Sequence, residues 1–148
     1  MKRLALILLV FILLFASCTK KEEEYDLDLL IIPEGTPVSI MNPHTLDVTP
    51  YARDNAELEA FLSEYNDLTP EDITSVEYLD LEAETPHIAL FVERENNNTY
   101  VFRAWSQGEG KCAALLTMLG SNEDIYILTF ESESIASHIE NIYSSFEG

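Results

Sequence analysis

Two runs of alternating apolar residues, separated by Asn96-Asn97-Asn98, constrain this chain more than any other feature. In residues 87–94, Ile88, Leu90 and Val92 share one side of an extended backbone. In residues 99–105, Tyr100, Phe102 and Ala104 alternate with Val101, Arg103 and Trp105. A period of two marks a strand whose sides meet different surroundings, and asparagine tolerates the left-handed backbone of a tight turn. The runs predict an antiparallel hairpin. Residues 76–81 predict a strand before it. Residues 124–130 (DIYILTF) are apolar on both sides and predict a central, buried strand. Residues 27–32 (LDLLII) predict one more, ended by Pro33 and Gly35.

Helical spacing follows elsewhere. Leu58, Phe61, Leu62 and Tyr65 fall at i, i+3, i+4, i+7 and predict a helix over 54–66, with Asp54 as cap and Glu57 as its capping-box partner. Residues 111–119 predict a short apolar helix stopped by Gly120. Ile135, Ile139, Ile142 and Phe146 form the clearest stripe, a last helix for which Ser132 and Ser134 are capping residues. Thr69-Pro70-Glu71-Asp72 predicts a capped short turn. Pro37, Pro43 and Pro50 argue for extended or edge structure over 36–50, because proline lacks the N–H a central strand requires. The resulting class is α+β: a mostly antiparallel sheet of about 4–5 strands packed with about three helices. The helices should cover one face; the other needs cover from the Pro-rich segment or the third helix.

The N-terminus stands apart from this pattern. Lys2 and Arg3 precede an unbroken apolar run over residues 4–15, followed by Ala16, Ser17 and Cys18. The run is shorter than the roughly 20 residues a spanning helix needs and suits the apolar region of a signal peptide. Leu14-Phe15-Ala16-Ser17-Cys18 resembles the lipobox of bacterial lipoproteins. That resemblance implies cleavage between Ser17 and Cys18, and fatty acylation, such as palmitoylation, of Cys18. Phe15 departs from the usual aliphatic residue at its position. The implied parts are a signal peptide (1–17), a charged tether (18–24) and a single acidic domain (25–148). The resemblance also implies a cell-envelope location, with the outer membrane as the site of anchoring. Lys20-Lys21-Glu22-Glu23-Glu24 resembles the lysine-plus-acidic signal that follows the lipidated cysteine in surface-exposed lipoproteins. Surface display and a periplasm-facing position both remain open.

Charge narrows the partners. The chain holds 27 acidic and 8 basic residues, a formal charge of −19. Loss of Lys2 and Arg3 on cleavage takes it to −21. Nucleic acid is disfavoured, since its binding relies on Lys and Arg neutralising phosphates. The membrane is then reached through the lipid on Cys18. Only Cys112 remains as a thiol, so packing rather than an internal disulfide must stabilise the domain.

No sequence constellation points to catalysis, a metal or a cofactor. Gly108-Glu109-Gly110-Lys111 fails as a phosphate loop, because Trp105 stands where its first glycine belongs and Cys112 follows the lysine. It reads as a strand-to-helix connection. Cys112 lies near a predicted helix start, where a thiol pKa can fall, but the spacing of His44, His87 and His138 brings none beside it, and a small packed side chain is the better reading. The leading reading is a non-enzymatic binding or assembly module with an envelope protein as partner. Its surface is drawn from the aromatic set Tyr100, Phe102, Trp105 and Tyr126, for which core packing is the commoner role, or from the Pro-rich segment 33–50. The alternatives are a small hydrolase using a carboxylate pair or Cys112 with a histidine, and a regulatory or stress lipoprotein acting by protein contact.

Overall fold

The computed structural model describes residues 30–50, 55–78, 85–94, 98–120 and 126–147, with residues 76–78 and 126 described by backbone alone. Residues 1–29, with the signal, the tether and Cys18, lie outside them, as do Asp54 and the predicted turn residues Asn96 and Asn97. Strands β1 (Val38–Met41), β2 (Val48–Pro50), β3 (Ile73–Tyr78), β4 (Ile88–Glu93), β5 (Thr99–Gly108), β6 (Lys111–Met118) and β7 (Tyr126–Glu131) form one open antiparallel sheet. Its order is β2-β1-β4-β5-β6-β7-β3. Two helices pack on it, α1 (Ala56–Asn66) and α2 (Glu133–Ser144), and a 3-10 turn, Pro70–Asp72, precedes β3. Among the described residues no helix is long and apolar enough to cross a membrane.

The class is α+β, and the described residues hold seven strands and two helices rather than the expected 4–5 and three. Residues 111–119 account for one difference. They do not form a helix: Lys111–Met118 is β6, paired antiparallel with both β5 and β7. Cys112 and Ala114 face one apolar cluster while Ala113 and Leu115 face the other. Both sides of β6 are therefore apolar, and the period-two alternation that marks a half-buried strand is absent. Gly108-Glu109-Gly110 is correspondingly a hairpin turn. Glu109 and Gly110 have φ of 53° and 74°, the positive values a type I′ connection requires at its two central positions.

The Pro-rich segment supplies two more strands. β1 is free of proline and lies between β2 and β4, with Pro37 just before it and Pro43 just after. β2 is the sheet edge, and Pro50 sits in it opposite Ser39, where a missing N–H breaks no interior ladder. The segment therefore joins the sheet instead of covering its second face.

The cap of helix α1 lies one residue later than predicted. Asn55 is the N-cap and accepts from Leu58 N at 3.1 Å, so Glu57 is not a capping-box partner. At α2, Ser132 caps Ile135 N, whereas Ser134 donates to Glu64 of α1. The predicted apolar faces are the buried ones: Leu58, Phe61, Leu62 and Tyr65 of α1, and Ile135, Ala136, Ile139 and Ile142 of α2. They share one core with Ile88, Leu90 and Val92 of β4, Phe102 and Ala104 of β5, and Phe130 of β7. Both helices thus cover the same face. The opposite face carries a smaller buried cluster, Trp105, Ala113, Leu115 and Ile127, to which no helix residue belongs among the described residues.

Of the strand predicted over 27–32, residues 27–29 lie outside the described residues, and residues 30–32 do not pair in the sheet. Residues 31 and 32 are held by side chains. Ile32 N donates to Asn66 Oδ1 at 3.0 Å, and Asn66 Nδ2 donates to Ile32 O at 2.7 Å. Arg94 Nη2 donates to Ile31 O at 3.0 Å, with its guanidinium 4.8 Å over the Tyr100 ring. Asn66 replaces a neighbouring strand and lets Ile32 enter the core. Asn66→Ala should cost about 1–3 kcal/mol, since two partly buried backbone groups lose their partner. The loss should appear first as faster amide exchange and protease cutting around Ile32, before α1 or β5 responds.

Candidate functional site

The structure does not bring the four aromatic residues together. Phe102 is fully buried under the helices, with Tyr65 edge-on at 5.0 Å and Phe61 at 6.0 Å between ring centroids. Tyr100 packs at the margin of that core beneath Arg94. Trp105 is buried on the opposite face, and its indole N–H has no partner among the described residues. Tyr126 begins β7 beside Tyr78, and its side chain lies outside the described residues. Strand alternation separates residues 100 and 102 from 105, so adjacent sequence became opposite faces.

Cys112 lies buried in β6, not at a helix start. Its Sγ faces the carbonyl oxygens of Gly110 and Ser132, each at 3.8 Å. Burial pushes the thiol up to about 11, the Ser132 contact lowers it somewhat, and Glu140 nearby raises it further. At neutral pH it stays a thiol, and the thiolate is the nucleophilic form. Among carboxylates close in sequence, Glu82 with Glu84 and Glu123 with Asp124 lie outside the described residues, while Glu131 and Glu133 stand exposed at the end of β7 and the start of α2. No group of three His, Cys, Asp or Glu among the described residues is placed to hold a metal ion. A recess of about 10 Å³ between Leu30, Ile31, Tyr65, Leu68 and Leu128 is about the least space that admits one water.

The three histidines all meet α2. His138, on α2, points at α1: its Nδ1 is 2.7 Å from Glu57 Oε1 and its Nε2 is 3.5 Å from Glu64 Oε1. Asn141 Nδ2 donates to Glu57 at 3.0 Å, and Ser134 Oγ donates to Glu64 at 2.9 Å. The Asn141 and His138 hydrogen bonds hold Glu57 below its usual carboxylate range, and the Glu57 hydrogen bond in turn raises His138. His44 and His87 flank the Tyr143 ring near the end of α2, at 5.1 and 4.7 Å between centroids. His87 Nδ1 accepts from Ser106 N at 3.1 Å, and Ser106 Oγ donates to Glu140 at 2.6 Å.

His44 belongs to the turn between β1 and β2, and this arm is the most distinctive surface. Residues 36–50 contain one charged side chain, Asp47, in a chain of charge −19. Leu46 and Val48 are 66% and 50% exposed. Leu46 has φ of 63°, a left-handed backbone that costs a branched L-residue about 1–2 kcal/mol. The turn is nevertheless tightly tied. Asn42 Oδ1 accepts from His44 N at 2.8 Å and Thr45 N at 3.2 Å. Leu46 N donates to Asn42 O, and Asn42 N donates to Asp47 O, both at 2.9 Å. An apolar side chain is therefore held outward on a pinned turn. The low charge of 36–50 was readable in the sequence; the conformation of Leu46 was not.

Comparison with protein families, with curated proteins and with solved structures yields no match to this chain. The arm and the helix contacts therefore carry the functional reading on their own geometry.

Proposed function

We propose that this chain is a lipid-anchored outer-membrane lipoprotein that works by protein contact, with the β1–β2 arm as its contact surface. The observation that carries the reading is Leu46. It holds a strained backbone and exposes its side chain, so in the free domain it gains little burial to offset that cost. A partner's surface would supply the burial. The low charge of the arm supports the same reading, because interface centres are depleted in charged residues and enriched in apolar ones. Strain concentrated at functional positions is a general pattern. The partner is an envelope protein with an apolar contact patch of its own.

Leu46→Asn separates contact from folding. Asparagine accepts left-handed backbone readily, so the variant should keep its thermal midpoint or gain up to about 1 kcal/mol of stability. A photo-crosslinking residue at position 48 should capture a discrete envelope protein in wild-type cells and lose most of that adduct with Leu46→Asn. Unchanged capture by the folded variant would remove the arm as the contact surface.

A further inference from the structure

We propose that His138 is a pH-operated clamp that holds α2 against α1. Both helices are acidic. α1 carries Glu57, Glu59 and Glu64, α2 carries Glu133 and Glu140, and neither contains lysine or arginine. His138 is the single basic residue of the pair. The carboxylates that meet it, Glu57 and Glu64, lie seven residues apart on one face of α1 and approach opposite sides of the ring. On the sheet side, α2 meets the strands through buried Ile135, Ile139 and Ile142, and its Glu140 faces Ser106 and Cys112.

An imidazolium has an N–H on each nitrogen, so it can donate toward both carboxylates at once. A neutral imidazole has one N–H, and its other nitrogen then turns a lone pair toward a carboxylate. Deprotonation therefore converts an attractive bridge into a half-repulsive contact between two acidic helices. The opposed placement also explains why the trio makes a bridge and not a chelate: one ion cannot bind both nitrogens of one ring.

The direction of the effect follows from the two titrations. His138 is raised above 6.5, so its contribution is complete below that value and fades as pH rises through the raised one. Glu57 is lowered below 4.5, so its contribution is present above 4.5 and fades on strong acidification. The clamp is tightest between those two reference values and loosens first on the alkaline side. Loosening would weaken the docking of α2 on α1 and raise local opening of α2, while the shared apolar core keeps both helices on the sheet.

The test uses the mature chain in detergent micelles. The His138 ring, followed by NMR, should titrate with a midpoint above 6.5. Amide exchange in α2, corrected for intrinsic pH dependence, should accelerate between pH 6 and 8, by roughly tenfold for each unit separating the docked from the undocked midpoint. His138→Lys, charged at both pH values, should stay slow at both, and His138→Gln should be fast at both. A wild-type midpoint at or below 6.5, or equal α2 protection at pH 6 and 8, would overturn the proposal even if neither variant folds.

Discussion

Phe102→Ala should bring the domain close to unfolding at ambient temperature. Phe102 is fully buried at the centre of β5, facing Tyr65 and Phe61 of α1. Tyr65 continues the contact to Phe130 of β7. Removing the ring therefore opens a cavity where helix α1 rests on the middle of the sheet. Phe-to-Ala substitutions in cores cost about 3–5 kcal/mol, against a total of about 5–15 kcal/mol for an ordinary domain. The check is a urea titration followed by circular dichroism. The midpoint should fall sharply with little change in slope, because the surface exposed on unfolding is nearly the same. A loss under about 1 kcal/mol would show that α1 does not depend on this contact.

Cys18→Ala should release the protein from the membrane fraction. The proposal of lipid anchoring rests on the sequence of residues 1–18. Each buried methylene contributes about 0.8 kcal/mol, and a single chain binds only reversibly, so two or more chains separate firm anchoring from none. Intact mass of the wild-type protein extracted from envelopes should equal residues 18–148 plus acyl chains. The variant should lack the acyl mass and appear in the soluble fraction or as uncleaved precursor. Protease treatment of whole cells then separates surface display, where wild-type protein is cut, from a periplasm-facing position, where it is spared. An unacylated wild-type chain would make this a freely secreted protein, while the β1–β2 arm would remain testable as a contact surface.

The parts of the fold that rest on local periodicity were legible. The stripe Leu58, Phe61, Leu62, Tyr65 and the stripe Ile135, Ile139, Ile142 are the buried faces of α1 and α2, because a helix exposes the same face at every turn whatever lies opposite. The hairpin of β4 and β5 pairs Leu90 with Phe102 and Val92 with Tyr100, on the side where Ile88, Leu90 and Val92 had been aligned by alternation. Residues 111–119 failed for a related reason: a strand buried on both sides loses its alternation, and its alanines and leucines favour helix locally. Pairing with β5 and β7 overrode that preference.

The candidate site was less legible, because its parts come from distant segments. His138 and Glu57 are 81 residues apart, and only the crossing of two helices over one sheet face brings them to hydrogen-bond distance. The aromatic set suffered the converse fate, since neighbours in sequence were sent to opposite faces. The sequence by itself determined the element types with clear periodicity, the acidic surface, the lone thiol of the domain and the lipobox-like N-terminus, all of which depend on composition or nearest neighbours. Tertiary structure alone decided that Cys112 packs within a strand and not at a helix start, that Leu46 points outward from a strained turn, and that His138 lies between two carboxylates. Burial, backbone strain and ion pairing are properties of where distant residues meet, and no local spacing encodes them.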